Sequence, residues 1–428
     1  MRWSRSILVV VAAIVGGVAM AADETSPPEK KTAAQPVEKA VMAEFVDGIN
    51  TFGLDMYGQL AGEKGNLFFS PLSLHAALSM VSVGARGETH VEMAKVLGLP
   101  RVEDGPLTET AAGRLYKEFL DGLLTDAARV ESQELSVANG LWVGKREQLV
   151  EAFAEAMQKD FQSESSTLDF SKPDQAVKII NDWVAKKTKD RIRNILAPDA
   201  LNSDTVLVLA NALYFKNAWA DEFSKDRTTD GEFKLGGGKT VKAKMMSRQG
   251  EYDYAETDDA QALSMPYAGY QFSMVFVLPK KADGLAALEK KLSADQLKAW
   301  TTFTSSEVRV TLPRFKVTQA FEANKPLQTL GMKRAFVADK NGADFSGMVA
   351  GSEKVAISFV AHKAFVAVDE VGTEAAAATV IGMVRGAAPM EPRKPKEFKA
   401  DHPFLFMIRH NQTGAVLFIG RLADPSTE

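Results

Sequence analysis

No cysteine occurs among the 428 residues, so disulfides, thiolate metal ligands and lipid-modified cysteines are excluded, and stability must come from burial. Histidine is scarce as well: His75, His90, His362, His402 and His410 are the only five, and they are scattered without metal-ligand spacing. The chain has no Gly-x-Ser-x-Gly elbow and no His-Glu-x-x-His pair, the local patterns of α/β-hydrolases and zinc proteases. Gly236-Gly-Gly-Lys-Thr240 ends like a phosphate-binding loop, but the glycine needed five positions before Gly238 is Phe233. A hairpin turn accounts for it better. Charge of one sign is also missing, since 51 Lys and Arg face 55 Asp and Glu for a net charge of −4. That balance gives no reason to expect nucleic acid or a membrane surface as partner. The expectation is a protein that is not an enzyme and carries no cofactor and no metal.

What is present begins with a targeting signal. Arg2 and Arg5 precede an apolar run from Ile7 to Met20, and Ala19-Met20-Ala21 fits a small-x-small cleavage site, which together read as a secretory signal peptide over 1–21. The run is short for a bilayer span of roughly 20 residues. Cleavage after Ala21 removes two positive charges and leaves −6, and the mature chain is expected to be secreted, either extracellular or periplasmic. Residues 22–39 are mostly Pro, Ala, Lys and Glu and read as a disordered leader.

Ordered patterning starts near Val41. Phe45, Ile49, Phe52, Met56 and Leu60 recur at three- and four-residue steps, one face of an amphipathic helix. Asn66-Leu-Phe-Phe-Ser-Pro-Leu-Ser73 reads as a short strand entering a helix, with Ser70 as N-cap and Pro71 in the first turn. Helical patterns return over 107–127, 147–161 and 173–191, as a pair within 285–301, and briefly over 326–332. Strand patterns occupy 135–143, 203–215, the hairpins between 231 and 278, and 308–315. Phe404 to Ile408 and Ala415 to Gly420, joined by Asn411-Gln-Thr-Gly414, form a buried hairpin. His362 sits in the apolar strand 357–363, where a polar ring must find partners.

One stretch stands apart. Glu370-Val-Gly-Thr-Glu-Ala-Ala-Ala-Ala-Thr379 has nothing that can anchor a core, yet it follows the buried strand Ala364-Phe-Val-Ala-Val368 and precedes Val380-Ile-Gly-Met-Val384. Four alanines favour a surface helix by propensity. Side chains this small also suit a segment that slides between two strands.

The ten residues from Glu370 resemble the hinge of the serpin reactive-centre loop, and Phe398-Lys-Ala-Asp-His-Pro-Phe-Leu-Phe-Met-Ile408 resembles the C-terminal serpin signature. The segment 66–73, together with Met80 to His90 and Met93 to Leu99, is similar to the same family in nearly continuous register. The resemblance runs from about Val41 to Pro425. It implies an α+β serpin fold in one large domain over 40–428, with a central, mostly antiparallel five-stranded sheet, two further sheets, about nine helices and an exposed reactive-centre loop over about 370–397. It implies a hinge made of Glu370, Gly372, Thr373, Glu374, Ala375, Ala376, Ala377, Ala378 and Thr379. It places His362 with Asn211, Ser70 and Ser73 in a polar cluster that helps set the barrier to sheet opening, and Trp219 at the top of the gap the loop enters.

The function so implied is suicide inhibition of a secreted serine endopeptidase: the cleaved loop inserts as a strand and traps the acyl-enzyme. In an inserted strand Thr373, Ala375, Ala377 and Thr379 share one face, and no proline or buried charge blocks the way. Counting the usual seventeen residues from Glu370 puts the cut between Gly386 and Ala387, for an elastase-like or subtilisin-like protease. Arg385, the one strong specificity determinant nearby, instead suggests a cut before Gly386 by a trypsin-like enzyme, and both registers stay open. The alternatives are a non-inhibitory binding or carrier serpin and an inhibitor of papain-like cysteine proteases. Arg114 and Lys117 are balanced by Glu109, Glu118 and Asp121, so no heparin activation is expected. Lys186, Lys187, Lys189, Arg191 and Arg193 read as a solvated helix end, and the protein is expected to be a monomer.

Overall fold

Pro71–Gly84 (α2, following α1 at Lys39–Leu60) is buried at all fourteen of its residues, so other elements have to surround it. Its start is chemically marked. Ser70 caps it by accepting the Ser73 amide at 3.1 Å, and Pro71 occupies the first turn, where its missing N–H leaves no gap in the ladder. The computed structural model describes residues 39–102, 105–106, 109–131, 133–339, 341–350, 355–374 and 394–427. Among these there are nine α-helices and two main sheets, the expected α+β architecture, with α2 packed between the sheets.

The central sheet is built from β1 (Glu134–Gly144), β2 (Glu164–Leu168), β3 (Leu207–Ala218), β4 (Phe315–Glu322), β5 (Phe359–Val368) and the two-residue β6 (Gly372–Thr373). Its order is β4-β5-β6-β3-β1-β2. Five long strands are present as expected, but the sheet is less antiparallel than expected: β1 runs parallel to β2, and β5 runs parallel to β3. The helix between β1 and β2 and the long excursion between β3 and β5 supply the crossovers that parallel neighbours require.

The two further sheets of the expectation are one. Leu67–Phe69, Val416–Leu422, Phe404–His410, Phe272–Pro279, Ala260–Pro266, Thr240–Glu256, Thr304–Pro313 and Lys396–Lys399 follow in that order, with Thr229–Lys234 also on the sixth. The 17-residue strand Thr240–Glu256 makes the join, because successive stretches of it pair with different partners.

The helix Pro173–Lys187 (α3) lies on the outer face of the central sheet, where Val177, Ile180 and Val184 share a core with Trp142, Ala210 and Ala361. Gly140 allows that approach, since a Cβ there would run into the Trp142 ring and come within 3.0 Å of Trp183. The helical pattern was expected to continue to residue 191. It stops at Lys187 because Lys189 and Asp190 take φ of 50° and 64°, outside the helical region. The strand expected over 308–315 is two, and the chain leaves one sheet and enters the other at Arg314.

Candidate functional site

Between β5 and β3 the central sheet has a seam. At its lower end the strands pair directly, Phe359 to His362 against Val208 to Asn211. At its upper end β6 lies between them, with Thr373 opposite Val368 on one side and Asn217 on the other, and Gly372 opposite Ala218. The site is this seam and the turn that feeds it.

The turn is made by Asp369, whose Oδ1 accepts the amides of Val371 at 2.8 Å and Gly372 at 3.2 Å, an arrangement that reverses the chain locally. Gly372 has φ of 157°, and a Cβ there would collide with the Asn217 carbonyl. Trp219 holds the turn from above: its amide donates to the Val371 carbonyl at 2.8 Å and its indole N–H to the Asp369 carbonyl at 3.0 Å. Its ring stacks on Tyr267 with centroids 4.7 Å apart.

Three hinge side chains then find partners that are remote in sequence. Thr373 is buried, and its Oγ1 lies 2.6 Å from the Tyr267 hydroxyl. Burial pushes the Tyr267 phenol up, so it serves as a neutral hydrogen-bonding group. Glu370, also buried, accepts Arg314 Nε at 2.7 Å and Thr228 Oγ1 at 2.5 Å, with a second contact from Arg314 Nη2. Burial alone would push its carboxyl up, but these hydrogen bonds bring it below the usual carboxylate range. Glu374 adopts φ of 54° and places Oε2 3.3 Å from Arg191 Nε. A strand cannot continue through a left-handed residue, so β6 stops at Thr373.

The lower end of the seam is fastened by His362. The Ser70 amide donates to His362 Nε2 at 3.1 Å, which leaves Nδ1 as the protonated nitrogen, donating to Asn211 Oδ1 at 2.6 Å. The ring is fully buried between Phe69 and Phe321, and burial pushes its pKa down to about 3. Ser70 Oγ donates to the Leu417 carbonyl at 2.6 Å. The Ser73 amide joins this network through Ser70, while the Ser73 hydroxyl has no hydrogen-bond partner. Of the four residues expected in the polar cluster, Ser70, Asn211 and His362 are joined by hydrogen bonds and Ser73 by its amide, while Trp219 lies elsewhere. Trp219 follows the upper end of β3, about 26 Å along the strand from Asn211 at roughly 3.3 Å per residue.

Of the remaining expected site residues, Ala375 to Thr379, Arg385, Gly386 and Ala387 lie outside the described residues, as do the expected signal peptide over 1–21 and residues 22–38 of the expected leader, whose last residue, Lys39, already begins α1. Sequence reading missed Tyr267, Arg314, Thr228 and Asp369, and took Arg191 for part of a solvated helix end. That cluster is largely answered by carboxylates: Lys187 pairs with Glu164, Lys189 with Glu134 at 2.6 Å, and Arg193 with Asp190 at 3.4 Å.

A family model described as serpin (serine protease inhibitor) matches residues 47–425. The chain is a serpin. It is 38% identical over 384 residues to an uncharacterized serpin-like protein of Thermococcus kodakarensis, covering 89% of this chain and 85% of that one. It is 37% identical over 385 residues to a leukocyte elastase inhibitor of Xenopus tropicalis, covering 87% and 97%. The structure of the Arabidopsis serpin AtSerpin1 in its native stressed conformation superposes with a TM-score of 0.79 at 29% identity, covering 90% and 99%. Serpins as a family inhibit proteases and are not catalysts, and in this serpin the start of the segment expected to be the hinge lies between β5 and β3.

Glu370 is the hinge residue whose removal the geometry penalises most directly. Glu370→Ala deletes a buried carboxylate that answers Arg314 and Thr228, and the expected loss is about 2 kcal/mol, discounted because Arg314 can turn to solvent. A urea midpoint measured against the unaltered protein checks it, and an unchanged midpoint would show that the ion pair does not hold the turn.

Proposed function

We propose that this serpin is an exported, monomeric suicide-substrate inhibitor of a secreted serine endopeptidase. The observation that carries the reading is β6: the first two residues of the hinge after the Asp369 turn are already seated between β5 and β3, and the sequence that follows them is four alanines and a threonine after Glu374. In the proposed reaction the protease serine attacks the carbonyl before the scissile bond and the peptide bond breaks. An ester then links protease to loop, and the new amine begins the C-terminal fragment. Extension of β6 down the seam carries the ester-linked protease away before water completes hydrolysis. Each added ladder hydrogen bond contributes about 1 kcal/mol net, so a dozen residues supply on the order of 10 kcal/mol, and the unextended state is held by kinetics.

The relative named for inhibiting leukocyte elastase and the small residues Gly386 and Ala387 support an elastase-like target, while Arg385 supports a trypsin-like one. Incubation with trypsin and with elastase, a denaturing gel and N-terminal sequencing of the released fragment test both. The expected result is a denaturant-stable complex with a fragment beginning at Gly386 or Ala387. Clean cleavage by both proteases, with a rise in thermal stability and no complex, would support a carrier role instead. A complex formed only with a papain-like protease would move the target to cysteine proteases.

A further inference from the structure

Among the buried polar atoms without a hydrogen-bond partner, four lie level with the lower end of the seam: Asn139 Oδ1, Asn139 Nδ2, Asn211 Nδ2 and Ser73 Oγ. All three residues are at least 99% buried. Their placement is a matter of register. Asn139 on β1 is opposite Asn211 on β3, and Asn211 is opposite His362 on β5, so the three polar side chains form one row across three strands. The row faces α2. The flanking Ala138, Ala210, Ala212 and Ala361 belong to the core beneath α3, whereas Leu141, Leu209, Leu213 and Val360 belong to the core on the opposite side. Ser73 comes to that side from α2, which packs on both β1 and β3.

A buried amide with neither atom paired is expensive, and directly opposed residues in antiparallel strands hold their Cβ atoms about 5 Å apart. The unpaired set comprises two amide NH2 groups, one amide oxygen and one hydroxyl that can accept. A group that offers two hydrogens and two lone pairs complements it. An anion would face the amide oxygen, and a cation the two amide NH2 groups.

We propose that Asn139, Asn211 and Ser73 hold at least one internal water that bridges β1, β3 and α2. Internal waters typically make about three hydrogen bonds to buried polar groups, and this site provides up to four. The water also has a part in opening the seam, a role that rests on the loop-insertion reading above. When β5 leaves β3, Asn211 Oδ1 loses the His362 Nδ1 proton. The bound water can turn one of its hydrogens toward that oxygen, so the carboxamide is not left bare while the strands are apart.

Oxygen-17 relaxation dispersion of the intact protein and an atomic-resolution crystal structure test the site, with Asn139→Leu and the milder Ser73→Ala as variants. The expected result is density bonded to the Asn139 amide, and loss of at least one long-lived water signal in Asn139→Leu. If Asn139→Leu fails to fold, Ser73→Ala should still shorten that water's residence time. Density in which Asn139 bonds Asn211 directly, with no solvent between them and no change in dispersion, would overturn the site. For the opening role, a synthetic peptide with the sequence of residues 373–384 is annealed into the uncleaved protein. The rate should fall about fivefold in Asn139→Leu, the factor set by one net hydrogen bond. An unchanged annealing rate with the water demonstrably lost would overturn the opening role alone.

Discussion

On the proposed function, Thr373→Arg is expected to turn this serpin from an inhibitor into a substrate. Thr373 is 1% exposed, and its hydroxyl meets Tyr267, on whose ring Trp219 stacks. A guanidinium placed there is a buried charge, which costs several kcal/mol, so the variant should hold β6 out of the sheet, and insertion must then carry that charge in. Every 1.4 kcal/mol is tenfold in a rate, so extension of β6 should slow by at least about a hundredfold, while attack on the distant scissile bond proceeds as before. With whichever protease forms the complex, the trapped fraction should collapse and the loop should be cut with turnover. Thr373→Val, which loses only the hydroxyl, should lower trapping by no more than about fivefold. Equal trapping by Thr373→Arg and the unaltered protein would mean that insertion does not start at this residue.

Acid should weaken the native state through two histidines. His362 and His75 are fully buried, and burial pushes their pKa values down from 6.5 to about 3 and about 4. Both have their tautomers set by neighbours, His75 by donating Nε2–H to the Leu97 carbonyl at 2.7 Å and accepting the Tyr116 hydroxyl at Nδ1. Above pH 6.5 neither state is protonated and the native state keeps its full stability. Below that value the unfolded chain takes up protons that the native state refuses, so each histidine removes about 1.4 kcal/mol per pH unit until its folded pKa is reached. Between pH 6.5 and 4 the two together should lower stability by on the order of 5 kcal/mol. Urea midpoints across that range measure it, and His75→Gln and His362→Asn should each flatten the profile. A flat profile in the unaltered protein would mean that both rings are protonated within the fold.

Much of this architecture could be read from residues close together in the chain. Ser70-Pro71 announced the start of α2, an apolar β-branched run announced β5, and the run around Asn411 announced the C-terminal hairpin, because caps, strand propensity and turns are local chemistry. His362 could be singled out because an imidazole in an apolar strand has to be answered. The partners of the hinge could not be read in this way. Arg314 is 56 residues from Glu370 and Tyr267 is 106 residues from Thr373, and no spacing rule connects them. The merging of two expected sheets into one depends on where a 17-residue strand changes partner, which alternation does not show. The end of α3 at Lys187 depends on left-handed backbone at Lys189 and Asp190, residues with no intrinsic preference strong enough to predict it.

The crossing at Arg314 makes one short piece of chain the anchor for both stems of the loop. On one side Arg314 grips Glu370, and three residues earlier Thr311 is the ladder partner of Lys399 in the strand to which the far stem returns. On the proposed mechanism, while the backbone between the stems is continuous, every residue that β6 gains must be drawn from a span whose other end is moored at Thr311. The uncut molecule is thus restrained by its own connectivity, a topological condition that no adjustment of side-chain contacts can relax and that a single broken peptide bond removes.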